Sequence, residues 1–121
     1  MINVRPNEMV SLEESFDKAA KAIEGGATAF VCAADHQAYE LIKGLEKRGY
    51  RVPEDVSICG FDGTKIANSS QQVCSVKIPN HDIGYFATER LFEYSKKRFS
   101  STHHTLLACS IIKGTTVELN K

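Results

Sequence analysis

The sequence has no excess of either charge. Fifteen lysines and arginines meet fifteen aspartates and glutamates across 121 residues, giving a formal net charge of zero and a pI near 6.9. Neutralising phosphates supplies much of the affinity of nucleic-acid binders, which therefore carry a basic excess. The balance makes the chain a poor candidate for a stand-alone DNA or RNA binder. Long apolar runs are also missing: none approaches the roughly 20 residues that span a bilayer. Met1-Ile2-Asn3-Val4-Arg5-Pro6 lacks the basic and apolar regions of a signal peptide. The expectation is a soluble, cytoplasmic chain with no membrane partner. There is no C-x-x-C pair. Cys32, Cys59, Cys74 and Cys109 stand far apart in apolar, β-prone runs, which removes the zinc and thiol-redox motifs. They read as small buried hydrophobes kept reduced.

Several catalytic signatures are absent as well. Glu24-Gly25-Gly26-Ala27 precedes a strand instead of opening a helix, so it is no phosphate cradle. Ala38 stands where a C-x5-R loop starting at Cys32 would need its arginine. Asp35 follows Ala34 and Asp62 precedes Gly63, so neither belongs to the adjacent acid pair of phosphotransfer domains. His103-His104 is a solvated loop pair rather than a metal site, because adjacent side chains diverge on most backbones. No metal and no cofactor are expected.

What is present is an ordinary globular composition, 42% hydrophobic and 25% charged, sized for one domain. Residues 11–24 carry a helical period through Leu12, Phe16, Ala19, Ala20 and Ile23, with Ser11 and Glu14 at capping-box spacing and Gly25-Gly26 as the stop. Thr28 to Cys32 reads as a short buried strand. Asp35 is placed to cap a second helix carrying Ala38, Leu41, Ile42 and Leu45 and ending at Lys47-Arg48-Gly49. Val56 to Gly60 reads as the next strand, residues 61–72 as polar loop, and Val73 to Ile78 as a further strand. Pro79-Asn80 opens a helix over 81–97 with Ile83, Phe86, Ala87, Leu91 and Tyr94, closed by Lys96-Lys97-Arg98. Thr105 to Leu119 reads as one or two strands broken at Gly114. This alternation predicts an α/β domain, three-layer, with a largely parallel sheet flanked by helices. Such sheets work beyond the carboxyl ends of their strands. Ala33-Ala34-Asp35-His36 and Phe61-Asp62-Gly63 then share one rim.

Phe30 to Ala38 resembles the strand-plus-"A-N-D-x-x-A" segment of the lactose-repressor-type transcriptional regulators. Gly49-Tyr50-Arg51-Val52-Pro53-Glu54-Asp55-Val56-Ser57-Ile58-Cys59-Gly60-Phe61-Asp62 matches their "G-x-x-V-P-E-D-V-S-V-x-G-F-D" run almost letter for letter. Val73 to Lys77, Gly84 and Gly114-Thr115-Thr116 fit later family segments. The resemblance covers nearly the whole chain.

It implies a partial lobe of a type I, periplasmic-binding-protein-like sensor core. In that family a small effector, usually sugar-like or nucleobase-like, binds between two lobes and shifts a dimer between DNA-competent and DNA-incompetent arrangements. DNA would be met only through a helix-turn-helix domain lying outside these residues, and the helix over 81–97 would pack on the other lobe. The implied ligand-binding positions are Asp62, Ala34, His36, Ile78 and Asn80. Asp62 matches the effector-binding aspartate, and its carboxylate can accept hydrogen bonds from neighbouring sugar hydroxyls. Ala34 replaces a ligand-contacting asparagine, and Gly63 replaces a frequent second polar residue. Tyr39, Lys43 and the 66–72 loop match dimer-contact positions, and a homodimer or swapped oligomer is implied. Two other readings stay open: a small flavodoxin-like hydrolase or phosphotransfer domain using Asp35 or Asp62, and part of a sugar-binding transport protein. The missing leader and unpaired cysteines weigh against the second.

Overall fold

A computed structural model describes residues 11–66, 69–96 and 102–119. Met1 to Pro6, Lys97-Arg98 and Ser100-Ser101, which entered the sequence reading, lie outside the described residues. The first helix, α1 (Leu12–Glu24), starts at Ser11, whose extended backbone lets its Oγ accept the Glu14 N–H at 3.2 Å. It stops at Gly25, with Gly26 at φ +97° turning the chain into β1 (Ala29–Val31). After α2 (Asp35–Glu46) come β2 (Ser57–Phe61), β3 (Cys74–Lys77), α3 (Asn80–Ser95) and β4 (Ser110–Ile112).

The strands form one sheet in the order β1-β2-β3-β4. The first two pairings are parallel, with Phe30 opposite Ile58 and Gly60 opposite Ser75. The last is antiparallel, with Val76 opposite Ile111. The α/β, largely parallel architecture is therefore as the alternating pattern predicts. Only the middle of the tail pairs as a strand. Beyond Gly114, Thr116 is buried between β2 and β3, its Oγ1 donating to the Ile58 carbonyl at 2.6 Å and accepting the Cys74 N–H at 3.0 Å.

The core lies between α2 and one sheet face. Ala38, Tyr39, Ile42 and Leu45 meet Val52, Val56, Ile58 and Val73, and α1 joins through Ala19. Burying these side chains stabilises the lobe by about 1.5–3 kcal/mol for each large aliphatic. Arg48, just past the end of α2, ties α1 down by donating to Glu13 and Asp17 at 2.8 and 2.7 Å. On the opposite face two rows cross the sheet in register, Val31–Cys59–Cys74 and Phe61–Val76–Ile111. Val31 and Ile111 are each 73% exposed there.

Three expectations need correcting. The cysteines are not all core residues: Cys32, Cys59 and Cys74 are half-buried and Cys109 is exposed, because Cys59 and Cys74 belong to the open face. Tyr39 is 4% exposed, with its hydroxyl accepting the Val73 N–H, so it packs inside the lobe and offers no dimer surface. Lys43 is exposed. Asp35 does not cap α2. The N-cap is Ala34, without a side-chain hydrogen bond, and the Asp35 carboxylate turns toward β2 instead.

Helix α3 buries none of its residues. Its Ile83, Phe86 and Ala87 side chains line an open hollow of about 320 Å³ with Ile78, Leu106 and Leu107, and Leu106 is itself 95% exposed, so the returning chain borders this face without burying it.

Candidate functional site

Parallel pairing brings the ends of β1, β2 and β3 to one edge of the sheet. Ala34 and His36 follow β1, Asp62 and Gly63 follow β2, and Ile78 and Asn80 follow β3. This is the edge at which parallel α/β sheets place their ligand loops.

The β2 loop is its most constrained part. Asp62 has φ +101°, a left-handed value that aspartate tolerates better than most residues. Its N–H donates to the Val76 carbonyl at 3.0 Å. The Gly63 N–H donates to Ser75 Oγ at 3.1 Å, and the Thr64 N–H donates to Asp35 Oδ2 at 2.6 Å. Successive amides are thus held by the main chain of β3, a side chain of β3 and a side chain of α2. Gly63 itself has φ +74°, and a Cβ there would lie 3.0 Å from Ile112 Cδ1 and Lys77 Cγ. With its backbone fixed in this way, Asp62 presents an exposed carboxylate that engages no partner among the described residues.

The other predicted positions differ in their surroundings. Ala34 is half-buried at the start of α2 and offers a methyl group. His36 is exposed and lines a groove with Leu12, Phe16, Val31 and Leu41, between α1, β1 and α2. Ile78 is half-buried in the cavity under α3. Asn80 is exposed as the first residue of α3, lining a shallow groove with His81, Gly84 and Tyr85. His36 and Ile78 therefore border different hollows. Beside the rim, burial pushes the Cys32 thiol up to about 11, with Cys59 and Asp35 adding electrostatic opposition to its ionisation. Among the described residues no group of three His, Cys, Asp or Glu side chains assembles as a metal site.

Sequence reasoning missed Asp35, Ser75 and Thr64 as the parts that hold the Asp62 loop. One signal was available. Gly60 interrupts an otherwise β-prone strand, and glycine inside a strand marks close approach by another group. A Cβ on Gly60 would collide with Asp35 Oδ1.

The lobe is thus a largely parallel α/β unit with a constrained polar loop leaving the carboxyl end of β2. A family model for the periplasmic binding protein-like domain matches residues 2–117, and the chain belongs to that family. It is 33% identical over 101 residues to catabolite control protein A of Priestia megaterium, an alignment covering 78% of this chain and 30% of that protein. The solved structure of the transcription regulator CcpA of Lactococcus lactis superposes with a TM-score of 0.75 at 24% identity, covering 97% of this chain and 45% of that one. A sugar-binding transcriptional regulator of the LacI family from Escherichia coli, complexed with phosphate, superposes at 0.69 with 28% identity, covering 88% and 39%. These findings bear out the resemblance read from the sequence. The chain spans between 20% and 32% of the length of the curated relatives it matches. No helix among the described residues is long and apolar enough to cross a membrane.

Proposed function

We propose that this chain is the effector-sensing part of a transcriptional repressor, supplying one rim of a small-molecule cleft. The observation that carries the reading is the loop after β2. Its three successive amides are tied to β3 and α2, leaving the Asp62 carboxylate exposed on the rim. A carboxylate so fixed suits adjacent hydroxyls of a sugar or sugar-like effector, since it can accept a hydrogen bond on each oxygen. Ala34, His36, Ile78 and Asn80 follow strands that end at the same sheet edge, with His36, Ile78 and Asn80 bordering separate hollows of this lobe. They complete the proposed contact set, with Ala34 and Ile78 adding apolar surface. The effector is held without a metal or cofactor, and no covalent step is involved.

The remaining assignments follow from the same reading. Helix α3, none of whose residues is fully buried here, packs on the other lobe of the complete sensor. The sensor acts in the cytoplasm as a homodimer or swapped oligomer, and DNA is contacted by a domain outside these residues. The relatives are transcriptional regulators, which supports a non-catalytic role.

The test is calorimetric titration with a panel of pentoses and hexoses. Asp62→Asn removes a charged acceptor and weakens binding about tenfold or more. Binding unaffected by that variant rejects the site. Turnover of chromogenic esters or phosphates, lost in Asp62→Asn, replaces the sensor by a hydrolase.

A further inference from the structure

We propose that Asp35 is the positioning residue of this site, holding Asp62 in its ligand-facing conformation through the Thr64 amide. The inference rests on the effector-site reading above and adds a residue to it. Asp35 is 0% exposed. A buried carboxylate is unfavourable unless hydrogen-bonded, and where only packing is needed an apolar residue serves as well. Asp35 opens α2, where its charge suits the helix N-terminus, yet its carboxylate makes no capping hydrogen bond. Its hydrogen bond goes to the Thr64 N–H at 2.6 Å, while Oδ1 is buried without a hydrogen-bond partner among the described residues. Gly60 makes the room, because any side chain there would occupy the place of Oδ1. The carboxylate thus reaches across the end of β2 to the loop that carries Asp62.

That loop needs holding. A non-glycine residue at φ +101° persists only where its surroundings over-determine it. The Val76 carbonyl and Ser75 Oγ fix the Asp62 and Gly63 amides from β3, and Asp35 fixes the third from α2. It is the one anchor that comes from outside the sheet. The start of α2 and the effector loop therefore behave as one unit.

Amide hydrogen exchange on this chain, followed by NMR, reads the anchor directly. Asp35→Ala accelerates exchange at Thr64 about tenfold or more. It leaves the Ile58 amide, which donates to the Thr116 carbonyl in the core, within the wild-type range. Asp35→Asn keeps an acceptor oxygen and most of the protection. An unchanged Thr64 overturns the proposal, and so does equal loss at Thr64 and Ile58, which marks general destabilisation. With D-ribose, D-xylose and D-glucose as probes, Asp35→Ala weakens whichever sugar the wild type binds, and Asp35→Asn largely restores it. Wild-type affinity alongside accelerated Thr64 exchange also overturns it. Asp62→Asn is run in parallel: if sugar binding survives there, the effector-site reading fails, whereas the anchor is still judged on Thr64 exchange.

Discussion

The ring of Phe16 on α1 occupies the space that a side chain at Gly44 on α2 would need: a Cβ there would lie 2.5 Å from two ring atoms. The two helices cross at this point, with Arg48 stacked over the same ring at 5.4 Å. Gly44→Ala gains about 1 kcal/mol in helix propensity, but overpacking a fitted contact costs about 1–3 kcal/mol. The expected outcome is net destabilisation, seen as a lower urea midpoint. Combining it with Phe16→Leu, which shortens the obstructing side chain, recovers part of the loss. Additive effects of the two changes would show that the crossing does not depend on this contact.

Thr116 joins the tail to the sheet more firmly than its loop position indicates. Its hydroxyl bridges the Ile58 carbonyl and the Cys74 N–H, while its own carbonyl accepts from the Ile58 N–H at 2.8 Å. Thr116→Val keeps the shape and leaves two buried backbone groups short of a partner. Each such group costs about 1–3 kcal/mol, so chemical denaturation should show a loss of that order or above. Thr116→Ser retains the hydroxyl and should cost far less.

Sequence periodicity located the helices and parallel strands because their signals are local. Ser11 caps where it was expected, and the breaks at Gly25-Gly26 and Gly49 fall at helix ends. The rim was legible too, since parallel strands must finish on one side. Thr116 and Asp35 were not. A polar residue in a tail and an acid at a helix start have strong local explanations, turn and cap. Their actual partners, Ile58 and Thr64, lie 58 and 29 residues away. Tyr39 was misplaced for the related reason that a helix has two candidate faces at its margins, and tertiary packing chose the inner one. The cysteines follow the same logic, because strand patterning says which residues share a face but not whether that face is covered.

Asp55 gives the lobe a defined response to acid. It accepts from the Arg51 N–H at 2.8 Å and from Arg51 Nε and Nη2 at 3.0 and 2.8 Å. The guanidinium and the backbone donor hold its carboxyl down at about 2, below the ordinary 3.8. Because the folded value is the lower one, this contribution is fully present above about pH 4 and disappears as pH falls through 2. A carbon-detected NMR titration should place the Asp55 midpoint near that lower value. Arg51→Ala should return it to the ordinary carboxylate range, and an unmoved midpoint would deny the pairing its role.

The thiols should separate by reactivity. Thiolate is the nucleophilic form, and burial, with Cys59 and Asp35 nearby, raises Cys32 to about 11. At pH 8 it stays protonated. Cys109 is exposed and borders the cavity under α3. Iodoacetamide labelling resolved by peptide mass should therefore modify Cys109 first and Cys32 slowest. Early loss of Cys32 would mean that the rim opens in solution.

Helix α3 makes the last test. Leu91 and Phe92 are 71% and 61% exposed, and no residue of the helix is buried. Open apolar surface of this kind drives association, and the exposed row ending at Ile111 adds to it. Sedimentation equilibrium should show a mass above the 13.4 kDa monomer that rises with concentration. Leu91→Glu should lower that association while leaving the unfolding midpoint within about 0.5 kcal/mol of wild type, as surface substitutions do. If the wild-type chain is instead a monomer with α3 amides strongly protected, the helix has found its partner within this chain, and the packing of α3 on another lobe must be abandoned.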